Sequence, residues 1–229
     1  MLQQLLFFTV LFFLIFFISK SNLSQFHRLI IKIIGHKHIS VWILALIFLP
    51  GTVIHELSHF VAATILHVPT GKMSIFPTIE KNGEARAGHI MVARTDPFRL
   101  SLIGLAPMMI GLTVVYLTGL FLIGDWPGML AGGNRVKFIS GLFLLFQTTS
   151  GMFSSKSDLK SFLLVLPVIL LFLLTGYFSG LSIQANQSFM ETVTGLLTRL
   201  NFYLLIASIT DYFFYLFFLA VNSVFGNRR

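Results

Sequence analysis

The residues best suited to chemistry lie in one apolar stretch, residues 49–63, which contains the pattern His55-Glu56-x-x-His59. On a helix, residues four apart share one face, so the two imidazoles can bind one zinc ion. The carboxylate of Glu56 can then take a proton from a zinc-bound water, whose pKa the metal lowers to about 7. Two histidines and a glutamate are costly in a hydrophobic segment unless they have partners. The pattern therefore predicts a zinc site, against the alternative of a hydrogen-bonded helix–helix cluster.

The composition of the chain indicates a polytopic membrane protein. Of 229 residues, 55% are hydrophobic and only 10% are charged, whereas soluble domains carry about 25% charged residues. At about 20 residues per crossing, the apolar segments predict an all-α bundle of roughly six transmembrane helices. The chain has no cysteine, so any metal must be bound by His, Asp or Glu. The net charge of +8 is spread over short loops, which fits contact with the lipid bilayer and no nucleic-acid partner.

These spans divide the chain into three regions. Residues 1–40 are predicted to form the first transmembrane helix and an amphipathic connector. Residues 41–175 form the core, and residues 176–229 hold the rest of the fifth helix, a polar loop and the last span. The six predicted spans are residues 2–19, 41–67, 97–124, 136–153, 161–183 and 200–224. Pro50 and Gly51, one turn before His55, are either a kink that admits water or an ordinary Pro-Gly pair tolerated in a span.

A more polar segment, residues 70–95, separates the second span from the third. Asn82-Gly83 lies between two partly alternating runs, which is a strong signal for a β-hairpin. The segment is too polar to cross a membrane, so we expect a small hairpin at the membrane surface. An exposed strand edge could pair with an extended peptide substrate. The alternative is a plain connecting hairpin.

A catalytic zinc ion usually has three protein ligands, and the His55 and His59 pair supplies two. Asp158 follows the fourth predicted span, and Asp211 lies within the last one. Carboxylates inside spans are functional candidates by default. Asp158 could equally be a solvated acid beside two lysines, and Asp211 could make a structural hydrogen bond. Spacing alone leaves both open as the third ligand.

The chain resembles the site-2 protease family of intramembrane zinc metalloproteases over residues 41–175. That family pairs H-E-x-x-H with a later Asn, a Pro-containing turn and Leu-Asp-Gly, whose Asp is the third ligand. Here Asp158 falls at that spacing, with Ser150 in place of the Asn, Ser157 in place of Leu and Leu159 in place of Gly. The segment ending at Pro107 resembles the family's intervening Gly-Pro element. The resemblance implies that Asp158 is the ligand and that Ser150 stands where the family holds its substrate.

The resemblance also implies the function, the partners and the location. It predicts an endopeptidase with one zinc ion that cleaves membrane-spanning or membrane-adjacent peptides in a multi-pass, bacterial-type plasma membrane. It favours a cytoplasmic side for the hairpin and the metal site. One alternative is a zinc-binding membrane scaffold or metal transporter without protease activity. Another is a structural helix bundle in which the motif is fortuitous.

Overall fold

The computed structural model describes residues 1–76, 78–79, 85–86, 88–124, 127–128, 134–153, 158, 160, 167–168, 171, 175–176, 178–179 and 186–226. Its principal elements are the helices α1 (Leu2–Ile34), α2 (Lys37–Ile47), α3 (Leu49–Ile65), α4 (Pro97–Thr118), α5 (Arg135–Met152) and α6 (Gln187–Gly226). Four short strands lie between α3 and α4: β1 (Thr70–Ser74), β2 (Thr78–Ile79), β3 (Ala85–Arg86) and β4 (His89–Val92). A π-helical segment, Gly119–Ile123, extends α4.

Helix α1 is a single helix of 33 residues. No proline or glycine interrupts it, and it ends where Gly35 takes a left-handed conformation and its N–H donates to the carbonyl of Ile31. The predicted first span and the predicted connector after it therefore form one continuous helix as far as Ile34. Likewise, the polar loop predicted before residue 200 is helical from Gln187 onward.

The second predicted span is broken into two helices. Helices α2 and α3 meet at Phe48 and are bent by 75°. Pro50, in the first turn of α3, has no N–H to continue the hydrogen-bond ladder of the preceding turn. The structure therefore shows a bend next to Pro50-Gly51, while the entry of water there stays a prediction. The bend at Phe48 lies about two turns before His55, so it sets the direction in which the His55-Glu56-x-x-His59 motif enters the bundle.

Three helices are long and apolar enough to cross a membrane: α1, α4 with its π-helical extension, and α6. The bent α2–α3 pair brings the number to four if it counts as one span. Helix α5 matches the fourth predicted span in position but carries four consecutive polar residues, Gln147 to Ser150, all buried. The fifth predicted span lies largely outside the described residues. The chain is thus a mostly helical protein with three or four candidate membrane spans, which is consistent with a membrane protein, while a total of six spans stays a prediction.

The polar segment between α3 and α4 forms short antiparallel strand pairs. Strand β1 pairs with β4, with Met73 opposite Ile90 and Ser74 opposite His89. Strand β2 pairs with β3. The predicted Asn82-Gly83 turn lies outside the described residues. Helix α4 then begins at Pro97, where the Asp96 side chain accepts a hydrogen bond from the N–H of Arg99 at 2.9 Å. That bond holds the pKa of Asp96 below its ordinary value.

Helices α1 and α6 pack along their length and run in the same direction. Near the start of α1, the Asn201 side-chain amide of α6 donates to the Gln4 carbonyl at 2.9 Å. Near the end of α6, the Asn222 side-chain amide donates to the Gln25 carbonyl of α1 at the same distance. Apolar residues of both helices join α4 and α5 in the main buried cluster, which contains Leu11, Ile15, Met108, Val115, Leu145, Leu204 and Ala207.

Candidate metal centre

Helix α3 presents the two histidines of the motif on one buried face, and Asp158 reaches them from the chain beyond α5. The Nε2 atoms of His55 and His59 lie 3.3 Å apart. Asp158 Oδ2 lies 3.1 Å from the first and 3.3 Å from the second. All three residues are buried. This His–His–Asp group could hold a metal ion.

The size of this triangle fits zinc. Four tetrahedral ligands at zinc–ligand distances of about 2.0–2.1 Å lie about 3.3–3.4 Å from one another. The three observed separations, 3.1–3.3 Å, approach that value. A hydrogen-bonded cluster is the competing explanation, but Asp158 Oδ2 has the geometry of a hydrogen bond to neither imidazole, although both are close. Three potential ligand atoms that converge on one position, one of them a carboxylate oxygen without a hydrogen bond, are typical of a ligand set.

The second nitrogen of each imidazole decides which tautomer the ring adopts. His59 Nδ1 lies 2.8 Å from the backbone carbonyl oxygen of Ile103, in α4. A carbonyl only accepts, so His59 Nδ1 carries the proton and Nε2 is left with the lone pair that a metal needs. His55 differs, because its buried Nδ1 has no hydrogen-bond partner among the residues that the structure describes. The protein therefore fixes the orientation of His59 more firmly than that of His55.

The charge of Asp158 suits a ligand. The residue lies between the fourth and fifth predicted spans. Its burial favours the neutral acid, but the two nearby imidazoles outweigh that effect and lower the pKa of Asp158 to about 2. Asp158 is therefore ionised at neutral pH, which is the form in which a carboxylate binds a metal.

Glu56 is buried beside His55 in the same helix, under the hairpin. Gly88, just before β4, lies so close that a Cβ atom there would come within 3.0 Å of Glu56 Oε1 and 2.9 Å of Thr52 Cγ2. Real Cβ atoms essentially never come as close as the contact to Thr52, and the contact to Glu56 is at the limit, so the lack of a side chain at Gly88 lets the chain pass close over both residues. The hairpin thereby covers the proposed base.

Helix α5 contacts the kinked region through residues that the motif analysis did not single out. The Gln147 side-chain amide, fully buried, donates to the Ile47 carbonyl at 2.9 Å, at the break between α2 and α3. A Cβ atom on Gly151 would lie 2.7 Å from the Gly51 carbonyl oxygen, so the two helices cross backbone to backbone. Ser150 is buried in this region, and its Oγ has no hydrogen-bond partner among the described residues.

The alternative third ligand, Asp211, lies elsewhere in the bundle. It is fully buried in α6, where its Oδ1 is 3.1 Å from Thr149 Oγ1 and its backbone carbonyl accepts from Asn22 at 2.9 Å. Within the described part of the chain, the group suited to a metal ion contains Asp158 and not Asp211. Asp211 therefore joins α6 to α1 and α5 by hydrogen bonds.

Comparison of the chain with protein-family models, with curated proteins and with solved structures finds no match.

Proposed function

We propose that the protein is a membrane-embedded zinc endopeptidase that hydrolyses peptide bonds of membrane-spanning or membrane-adjacent substrates. The observation that carries this proposal is the buried triangle of His55, His59 and Asp158 atoms, with Glu56 adjoining it in the same helix. The resemblance of the sequence to the site-2 protease family supports the same assignment.

The residues divide the chemistry between them. When bound, zinc supplies the Lewis acidity that activates a water molecule and polarises the scissile carbonyl. Glu56 accepts the proton of the attacking water and donates it to the leaving amine. The Ile103 carbonyl keeps the lone pair of His59 directed into the site. Burial of the whole group excludes bulk water and strengthens these electrostatic interactions.

The hairpin provides a route for the substrate in this proposal. Strands β1 and β4 form a two-stranded sheet, so each has one strand edge without a partner strand among the described elements. An extended peptide that pairs with such an edge gains main-chain hydrogen bonds. Because Gly88 directly precedes β4 and lies against Glu56, a peptide on that strand would pass close to the base.

The test compares Glu56→Gln with two carboxyl variants, Asp158→Asn and Asp211→Asn. Each purified protein is assayed for zinc by elemental analysis and for cleavage of a pooled set of tagged single-span reporter proteins. Glu56→Gln should keep the metal and lose cleavage, because the amide cannot accept the proton. Asp158→Asn should lose the metal, because a neutral amide is a much weaker zinc ligand.

Asp211→Asn is the matched control, since it replaces another buried aspartate that does not belong to the triangle. It should keep zinc. Cleavage by Glu56→Gln at the wild-type rate would overturn the role of the base. Loss of zinc from Asp211→Asn alone would overturn the ligand set. Wild-type protein that holds zinc but cleaves no reporter would instead favour a zinc-binding scaffold or transporter without protease activity.

One observation argues against the transporter alternative. A transporter needs several ligand groups along a path through the membrane. The described residues offer a single group of three or more His, Cys, Asp and Glu side chains close enough to share an ion.

A further inference from the structure

The acceptor for His59 is a backbone carbonyl inside a helix, which is an unusual place for a free acceptor. In an α-helix the carbonyl of residue 103 is normally bonded to the N–H of residue 107. Here that residue is Pro107, which has no N–H to donate. The Ile103 carbonyl is thus released from the helix ladder at the position where His59 Nδ1 approaches to 2.8 Å.

The ring of Pro107 acts in the same direction as its missing N–H. A proline ring inside a helix clashes with the carbonyl four residues earlier and opens that turn. Pro107 is fully buried, and both His59 and Ile103 are also buried. Water therefore does not compete for the released carbonyl, and the imidazole N–H takes the place of the lost helical donor.

We propose that Pro107 is a positioning residue for the metal centre: it frees the Ile103 carbonyl, which fixes the tautomer and ring orientation of the ligand His59. This inference rests on the metal site of the proposed function, not on proteolysis. Loss of such an outer hydrogen bond typically lowers metal affinity about 10–100-fold. The helix itself should gain from losing the proline, because α4 would regain a hydrogen bond. Metal affinity and stability of the metal-free protein are thus expected to change in opposite directions.

The experiment is a zinc competition titration of the purified protein against a chelator, together with thermal unfolding of the metal-free form. Pro107→Ala introduces an N–H that competes with His59 for the carbonyl. It should weaken zinc binding about 10–100-fold while the metal-free protein unfolds at an equal or higher temperature. The matched control is the ester analogue with lactic acid at position 107, which has the same methyl side chain as alanine but no N–H. It should bind zinc more tightly than Pro107→Ala and close to wild type, because it lacks the competing N–H and loses only the contribution of the ring.

Unchanged affinity in Pro107→Ala, or equal weakening in both variants, would overturn the proposal. If a variant fails to fold, the proposal can still be tested on metal-free wild-type protein. There, ¹⁵N NMR of labelled histidines reports which tautomer each ring adopts. The Nδ1-protonated form is expected for His59, whose signal is assigned by its loss in His59→Gln. The Nε2-protonated form would contradict the inference. Cleavage of a substrate enters neither readout, so failure here is distinct from failure of the protease assignment.

Discussion

The hairpin meets the proposed base at a residue without a side chain, and this contact can be tested. In Gly88→Ala, the new Cβ would fall 2.9 Å from Thr52 Cγ2 and 3.0 Å from Glu56 Oε1, and we expect the adjustment to displace the Glu56 carboxylate. Displacing a catalytic group by a fraction of an ångström to one ångström lowers rates by up to about 100-fold. We expect zinc content to stay at the wild-type level and the cleavage rate to fall about 10–100-fold.

Gly71→Ala is the matched control for Gly88→Ala. Gly71 lies on β1 of the same hairpin, and a Cβ there would meet Met91 Cβ at 3.1 Å, a contact of similar tightness that does not involve Glu56. If both variants lose activity equally, distortion of the hairpin is responsible and the specific contact with Glu56 is not. Reporter cleavage and elemental analysis on both proteins separate the two cases.

The side chains of the candidate site could be predicted from the sequence, whereas its backbone acceptor was not. His55, Glu56 and His59 are marked by type and spacing, and the structure brings the two histidines to Asp158. Spacing alone left Asp158 and Asp211 open, because it does not show which carboxylate folds back onto α3. Every residue has a backbone carbonyl, so residue type does not mark the Ile103 carbonyl as part of the site. The signal that could have found it is Pro107, because a proline leaves the carbonyl four residues earlier without its helical donor.

At the scale of elements, the C-terminal end of helix α3 contains a residue in a strained backbone conformation. His67 adopts a left-handed conformation with φ of 55°. Its N–H donates to the Thr64 carbonyl at 3.1 Å, and the Val68 N–H donates to Ala63 at 2.8 Å. This pair of bonds is a Schellman motif, at whose left-handed position glycine is preferred because a side chain there costs about 1–2 kcal/mol.

His67→Gly should therefore stabilise the protein. We expect a gain of about 1 kcal/mol, after subtracting the greater freedom of glycine in the unfolded chain. Thermal unfolding in detergent should show a rise of roughly 2–4 °C. His38→Gly is the control of opposite sign, because His38 lies in the first turn of α2, where a glycine weakens the helix. An equal or lower unfolding temperature in His67→Gly would show that the turn is not strained.

Helix breakers in the sequence located the element boundaries better than polarity did. Pro50 marks the break between α2 and α3, and Gly35 marks the end of α1. The charges after residue 19 suggested a separate connector, yet nothing in that stretch stops a helix, and α1 continues through it. Polarity reports which face meets water or lipid, and it does not by itself end a hydrogen-bond ladder.

At the scale of the whole molecule, the parallel packing of α1 and α6 constrains the topology. Both are candidate spans, and the pairs Gln4–Asn201 and Gln25–Asn222 show that they run in the same direction. First and last spans that cross in the same direction require an odd total of crossings. The six spans suggested by composition are an even number. Hydropathy counts apolar segments, but it cannot tell a crossing from the bent α2–α3 pair or determine direction.

We therefore predict that the two ends of the chain lie on opposite sides of the membrane. Reporters that are active on only one side can be fused before Leu2 and after Gly226, and they should give opposite readings. Six crossings would place both reporters on the same side, and that result would mean that α1 and α6 do not both cross as they pack here. A third reporter at Asn82 places the hairpin. Agreement between this reporter and the one before Leu2 would show that the bent α2–α3 pair completes a crossing, because α1 alone would leave the hairpin on the far side. Disagreement would make the α2–α3 pair a re-entrant loop. The pair, which carries His55 and His59, would then enter and leave the membrane on the same side.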